Sequence, residues 1–520
     1  MPDELDDIPA IEKSFVWEGK ATRPVLINSS KALELINIDP RDLVGRRKRK
    51  GTTLARTGDV FTLQVGDAIP AGSAASPLYT DNAFALTQIG THVYWSTNAG
   101  YTAFTTVFST SELIRFVKGV TVYYRLSNAL VYTWDGNTAN NWVSVGATNA
   151  SFPPCTDAIW LAQNRMLAVQ GTDIYYSNAS DGSTWDRTVQ KFTINDGGGN
   201  FHWAQEIKQN VVILAKPNRL YELDVSNPNP SFWTFRLLTG TIGSNSYHQG
   251  TARIGNDLAI TTWQGIYLLS DILNNDTPKP ISDEVYDELF NITTANLGLY
   301  NSSRNYIHMV CCRELLLVTN QLQSSQFILV CHLPSRRWFR WSIPYTVYAL
   351  AIQEDPAKPL AMPLALVYSA AATPTVEVQI LDSAEVIDAL PSQVDRTIGS
   401  GQSTNITYQE DSGPLLFGFP ENTKNGNVLK IFALSTGANA ASLAVSYMID
   451  ESQTWTAFAA SPLALNSGTA GSLLIFTIPL EALGRFTTLR IRMVDSTAFT
   501  TQVLGWVALA WPNNVNTSGT

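Results

Sequence analysis

The sequence predicts an all-β protein in three parts. These are an N-terminal arm or platform over residues 1–60, a β-propeller of about six or seven blades over 61–392, and a linker with a C-terminal β-sandwich over 393–520. Three observations predict it. The dipeptides Ile174-Tyr175, Leu220-Tyr221 and Ile266-Tyr267 recur at intervals of about 46 residues, within the roughly 40–50 expected of propeller blades. Each closes a phrase in which an apolar run meets a Gly, Pro or Asn turn and returns as a second apolar run, the pattern of a β-hairpin: RMLAVQGTDIYYS, VVILAKPNRLYELD and LAITTWQGIYLLS. After residue 425 the pattern changes to strict period-two alternation, which marks half-buried antiparallel strands.

The elements follow in chain order. Residues 1–60 lack the hairpin beat; they predict a helical turn near Ser30–Leu35, a turn at Asp39-Pro40, and then five consecutive bases, Arg46, Arg47, Lys48, Arg49 and Lys50. From 61 the beat begins with Val93-Tyr94 and Val131-Tyr132, and it weakens after Asp271. Three helices are expected to interrupt it. SELIRFVKG (111–119) has Ser at an N-cap position and Gly past the end, SDEVYDELF (282–290) has Ser282 as its cap, and SAEVIDALP (383–391) stops at Pro391. Residues 393–425, rich in Ser, Gly, Asn and Thr, read as a long loop. In the last part, LAVSYMI puts Leu443, Val445, Tyr447 and Ile449 on one face, and LRIRM turns Leu489, Ile491 and Met493 inward with Arg490 and Arg492 outward. VLKIFAL, LLIFTI and VLGWVALAW complete a sandwich.

Composition narrows the function classes. Charged residues make up 15% and aromatics 10%, which suits a chain with much buried or subunit-covered surface. A net charge of −9 argues against general affinity for nucleic acid, because phosphate neutralisation needs excess Lys and Arg. The four cysteines (Cys155, Cys311, Cys312 and Cys331) have no metal or redox spacing and read as buried, reduced thiols. The acidic opening MPDELDDIPAIEK has no signal-peptide pattern, and no apolar run approaches the ~18 residues of a membrane span. The chain is therefore expected to fold in a cytoplasm, with no membrane span.

No motif predicts a reactive centre, a cofactor or a metal. His92, His202, His248, His308 and His332 are scattered and read as satisfied imidazoles. The serine-hydrolase elbow and the Walker loop are absent, and DGGGN (196–200) precedes no helix that could present its N-terminus to a phosphate. SNASDGSTWD (177–186) resembles the Asp box of sialidase-like propellers, with Asp181, Gly182, Thr184 and Trp185 forming a structural turn one spacer short. DESQTW (450–455) keeps the spacing but has Ser452 where Gly is expected. The basic run 46–50 is a candidate contact for a partner or DNA, set against a solvated loop whose like charges repel.

With these pieces assembled, the chain resembles the β-propeller-bearing tail nozzle and packaged-DNA-stabilisation proteins of short-tailed bacteriophages. The resemblance rests on GRRKRKGTTL (45–54), on IKQNVVILAKPNRLYELD (207–224) followed by GTIGSNSYHQGTARIGNDLAITTWQGIYLLSD (240–271), on LPSRRWFRWS (333–342), and on the 428–511 module. Lys50 stands where that family has Pro. The resemblance implies a non-enzymatic virion protein of the phage tail, made in a host bacterial cytoplasm. It would form a homo-oligomeric, hexameric ring, dock on a portal-adaptor ring, hold or conduct genomic DNA through its lumen without sequence-specific binding, and serve as an attachment point for tail fibres. The alternative is a carbohydrate-binding or glycan-cleaving propeller with a lectin-like sandwich, suggested by the near-Asp-box at 177–186.

Overall fold

The computed structural model describes residues 10–13, 32–36, 38–39, 41, 46–48 and 53–54 of the N-terminal region. It also describes 60–512 apart from loops, the longest omitted stretches being 68–77, 290–306, 354–361 and 390–402. The protein is nearly all β. Among the described residues, seven antiparallel units of three or four strands follow one another along the chain as blades. Blade 1 spans Leu78–Thr80 to Gly100–Ala103, blade 2 Arg115–Lys118 to Val143–Ser144, blade 3 Asp157–Leu161 to Lys191–Thr193, and blade 4 Trp203–Lys208 to Thr234–Thr239. Blade 5 spans Thr251–Ile254 to Ile266–Leu268, blade 6 Ile307–Cys312 to Arg337–Ser342, and blade 7 Thr346–Gln353 to Thr375–Ile380. The first strand of each blade lies beside that of the next, through the turn His248–Gly250 between blades 4 and 5, and blade 7 returns to blade 1. The sheets therefore close into a ring with the seven first strands around its axis.

The aromatic beat has a simple meaning in this ring. Tyr94, Tyr132, Tyr175, Tyr221 and Tyr267 all lie in the third strand of their blades, 1 to 5. The beat stops because blade 5 has three strands, and the helix Leu269–Asn274 follows where a fourth would start. In blades 6 and 7 the third strands read FILVCH and TVEVQI, with no Tyr.

Each sheet is apolar on both faces, so the core is divided into slabs between blades. Leu86, Phe104, Phe116, Trp134 and Trp142 fill the gap between blades 1 and 2. Leu161, Leu167, Ala204 and Leu214 fill that between blades 3 and 4. Closure comes from the N-terminal region. Val60–Thr62 pairs antiparallel with the last strand of blade 7, Phe61 opposite Val376, and Thr53–Leu54 pairs with the same strand. Phe61 is fully buried, 5.7 Å from the Tyr94 ring of blade 1, and so joins the last blade to the first.

The C-terminal part is a sandwich of two sheets. One contains Tyr408–Ser412, Leu489–Asp495 and Ser442–Ile449; the other contains Gln502–Pro512, Lys424–Leu434 and Leu473–Pro479. Leu489, Ile491 and Met493 face inward against Leu429, Ile431 and Ala508, as their alternation predicts. In Ser442–Ile449 the alternation holds at Leu443 and Val445 and then shifts, so Met448 is buried while Tyr447 and Ile449 are half-buried. The sandwich is continuous with the propeller. Ala32–Ile36 pairs with Tyr408–Ser412 on one side and with the outer strand of blade 6 on the other, making a single ten-stranded sheet. One apolar cluster runs from Phe339 and Trp341 of blade 6 and Val367 of blade 7 into the sandwich.

Five expectations are corrected. Residues 115–118 form the first strand of blade 2 instead of a helix, because all four pair with Tyr123–Leu126 and Phe116 fills the interblade slab. Ile387–Ala389 is a strand paired with Ser403–Asn405, so it is not helical either. Ser282 makes no side-chain capping bond. Its hydroxyl accepts the Ile266 N–H at 2.8 Å; the 3₁₀ turn Asp283–Val285 follows it, Tyr286 and Leu289 are helical as expected, and 287, 288 and 290 lie outside the described residues. The turn expected near Ser30–Leu35 is strand Ala32–Ile36, and the loop expected over 393–425 contains Tyr408–Ser412, a central sandwich strand. That strand is polar by composition yet buried, because its side chains are paired. Glu410 accepts from Tyr408 Oη at 3.0 Å and Trp506 Nε1 at 3.2 Å, and Asp411 forms a two-pronged ion pair with Arg492 at 2.8 and 2.5 Å.

Phe61→Ala should lower unfolding stability by about 3–5 kcal/mol, since it empties the slab where the ring closes. Denaturant titration followed by tryptophan fluorescence measures this; a loss below about 1 kcal/mol would show that closure does not depend on this strand.

Candidate functional site

The first strands converge on a carboxylate. Asp157 opens blade 3 and is fully buried. Its Oδ1 accepts from Arg115 Nη1 of blade 2, its Oδ2 accepts the Ala204 N–H of blade 4 at 2.9 Å, and His248 Nδ1, in the turn leading into blade 5, stands 3.5 Å from Oδ2. One side chain thus ties four blades around the axis. Burial alone would raise the pKa of this carboxyl. The Arg115 and His248 partners and the Ala204 N–H outweigh it and hold Asp157 below the ordinary carboxylate range.

Beside this hub lies a cavity of about 320 Å³, lined by residues from the inner strands of blades 1, 2, 5, 6 and 7. Arg115, His248, Gln249 and His308 supply its polar wall; Tyr79, Phe116 and Ile352 are among the apolar and aromatic ones. None of its lining residues is Asp or Glu. His308 is buried and its Nε2 has no hydrogen-bond partner among the described residues. Burial pushes His308 down to about 4, and burial together with the Arg115 charge also depresses His248. His308 is therefore uncharged at neutral pH.

The residues singled out by sequence fall elsewhere. Asp181 Oδ1 accepts from Ser183 N at 2.8 Å and Ser183 Oγ at 2.6 Å. Trp185 Nε1 donates to the Gly182 carbonyl at 2.9 Å, and the buried Trp185 ring packs 4.8 Å from Phe152. Ser183 first, and then Thr184, hold the Asp181 carboxyl below the ordinary carboxylate range. The turn needs glycine at 182, where a Cβ would sit 2.8 Å from the Trp160 ring. This is a structural knot in blade 3, away from the axial cavity. Asp450, in the second near-match, instead accepts the N–H groups of Thr487 and Thr488 at 2.6 and 3.0 Å, bracing a sandwich turn. DGGGN is clamped from within: Asp196 accepts from Lys216 at 2.9 Å and Arg219 at 2.6 Å.

Arg46–Lys48 of the basic run form a strand of the second sandwich sheet, between the edge strand Ile38–Asp39 and Gln502–Pro512; Arg47 is exposed, and Arg49 and Lys50 lie outside the described residues. Three histidines are satisfied. His202 Nδ1 donates to the Ser244 carbonyl at 2.8 Å, His92 pairs with Asp67 at 2.9 Å, and His332 meets Ser335 Oγ at 2.8 Å. His248 and His308 are the pair that folding gathers. All four cysteines are free thiols; three are buried and Cys311 is half-buried.

No family model matches the chain, and no curated protein matches it. Among solved structures it is similar to YCF48 bound to D1 peptide (8% identity, TM-score 0.38, covering 62% of this chain and 95% of that one). It is also similar to the AfRom2 CNH domain (7%, TM-score 0.37, 62% and 99%) and to Hsv2 from Kluyveromyces lactis (10%, TM-score 0.30, 59% and 99%). Among the described residues, no helix is long and apolar enough to cross a membrane.

Asp157→Asn should destabilise the protein by about 3–5 kcal/mol at pH 7, because Arg115 loses its charge partner in the interior. The folded-state pKa lies below the unfolded value of about 3.9, so the wild-type advantage is present above that pH and fades as pH falls through the folded value. Urea midpoints of both proteins from pH 7 to pH 3 measure it; a gap that does not narrow in acid contradicts the assignment.

Proposed function

We propose that this chain is a non-enzymatic, ring-forming structural subunit of a bacteriophage tail: a nozzle or plug protein that docks on the portal-adaptor ring and retains or conducts genomic DNA. The observation that carries the reading is the weld between propeller and sandwich. Domains in one chain move relative to each other unless their interface is large and apolar. Here a hydrogen-bonded sheet and a common core join the two parts, as a wall that bears the load of packaged DNA requires. The quoted phrase 333–342 contains the outer strand of blade 6 at that weld, and 207–271 spans blades 4 and 5.

The second sandwich sheet supports ring formation. Its Leu473–Pro479 edge exposes Leu473 and Ile475 (53% and 56%), whereas Arg46–Lys48 lies towards the other edge. Unlike edges suit a head-to-tail contact that closes on rotation. Apolar side chains left bare on an edge strand invite coverage by another chain. The net charge of −9 per subunit gives a lumen that repels phosphate, so DNA slides without sticking.

Native mass spectrometry and electron microscopy of the purified chain, with and without an adaptor ring, test the proposal; a ring, hexameric by expectation, is the predicted result. A strict monomer that binds no adaptor contradicts it. Ile475→Lys should reduce the ring fraction at least tenfold. Neutralising Arg46–Lys50 should weaken assembly or genome retention, more at low salt than at high salt; assembly and retention unchanged across salt would leave the basic run as a solvated strand.

A further inference from the structure

We propose that the sandwich edge Leu473–Pro479 is completed by a strand of a second copy of this chain, Ala10–Lys13, through main-chain hydrogen bonds. This rests on the ring-forming reading above and specifies its contact. Leu473–Pro479 is seven residues long and, among the described residues, pairs on one side only, with Lys424–Leu434. Two bonds fix which of its backbone groups are used. Ser435 N donates to the Ser472 carbonyl at 2.8 Å, and Leu480 N to the Asn427 carbonyl at 2.9 Å. Residues facing the partner alternate along an antiparallel ladder, so Leu474, Phe476 and Ile478 turn their N–H and C=O groups to Lys424–Leu434. Leu473, Ile475 and Thr477 turn theirs away, and no hydrogen bond reaches those groups among the described residues. Pro479, which has no N–H to offer, ends the free row.

This edge lacks the usual protections, which are short length, charge, a bulge or an interrupting Pro. The outer strands of blades 2, 3 and 4 carry them. Val143–Ser144 has two residues, Lys191–Thr193 has three and a lysine, and Thr234–Thr239 contains Arg236. Leu473–Pro479 has no charged residue and no register shift against its neighbour, and it bares Leu473 and Ile475. A free row of donors and acceptors beside apolar side chains is what strand addition uses.

Chain direction selects the incoming strand. Ala10–Lys13, Gln502–Pro512, Lys424–Leu434 and Leu473–Pro479 pair antiparallel in succession, so the first and last run in opposite directions. Rotation about an axis roughly along the strands preserves those directions. It lays Ala10–Lys13 of one copy antiparallel to Leu473–Pro479 of the next, with the stagger that closing a sheet requires. Ala10–Lys13 is itself paired on one side only among the described residues, and the same alternation turns the backbone groups of Ile11 and Lys13 outward. Ile38–Asp39, on that side of the sheet, has two residues and runs parallel to Leu473–Pro479, so it is the poorer match.

Native mass spectrometry and hydrogen exchange on the full chain, above and below its assembly concentration, test the pairing. Assembly should slow amide exchange about tenfold or more in both Leu473–Thr477 and Ala10–Lys13. Thr477→Pro removes one outward N–H and leaves the ladder to Lys424–Leu434 intact, since an edge strand accepts Pro on its open side. It should keep the wild-type unfolding midpoint and cut the assembled fraction about tenfold, whereas Thr477→Val, which retains the N–H, should assemble within about twofold of wild type. If the proline variant unfolds, the wild-type exchange pattern decides. A folded Thr477→Pro variant that assembles like wild type, or protection at only one of the two edges, overturns the pairing and leaves the ring reading standing. Dimers or open filaments with protection at both edges and a proline effect support the pairing and contradict the ring. A chain that stays monomeric contradicts both.

Discussion

A sheet that is apolar on both faces cannot stand alone, and this constraint governs the whole molecule. Leu167, Leu214 and Leu316 are fully buried in three different blades because neighbouring blades cover them. Each blade therefore depends on the next, and the series must close on itself or leave two bare faces. Closure falls to a strand from the far end of the chain, Val60–Thr62, whose Phe61 occupies the space between blades 7 and 1. The long sequence separation between the joining segments makes this a non-local contact, whose loop-closure entropy folding must offset.

The same need for coverage explains the joint with the sandwich. The outer strand of blade 6 would be an open edge, and Ala32–Ile36 pairs with it and carries the sheet into the C-terminal part. The N-terminal region is consequently shared out. Some of its strands complete the sandwich and others complete blade 7, so the first sixty residues hold the two parts together. Interior charges reinforce this architecture where they are fully matched. Asp157 draws four blades to the axis, Lys216 anchors the loop at 194–196, and Asp411 with Arg492 binds two sandwich strands.

Much of the fold was legible in the sequence because the signal repeats. Tyr94 through Tyr267 mark one structural position five times, and Leu489, Ile491 and Met493 declare a buried face by alternation alone. The misreadings share a cause. In SELIRFVKG the local capping pattern suggests a helix, but cross-strand pairing with Tyr123–Leu126 and the burial of Phe116 decide otherwise. In Tyr408–Ser412 polar residues suggest a loop, because their partners Trp506 and Arg492 lie about a hundred residues away, where no local window reaches. The axial site was invisible for the same reason: Arg115, Asp157, His248 and His308 come from different blades. The available signal was positional, since each belongs to or immediately precedes the first strand of its blade.

Closure and weld together make one cooperative body out of what the sequence presents as two modules. Hydrogen exchange of backbone amides measures this most directly, by comparing the opening free energy of the sandwich strands Lys424–Leu434 and Leu489–Asp495 with that of blades 6 and 7. A single shared opening event for both regions is the predicted result. Independent opening of the sandwich, with the propeller amides still protected, would contradict the account.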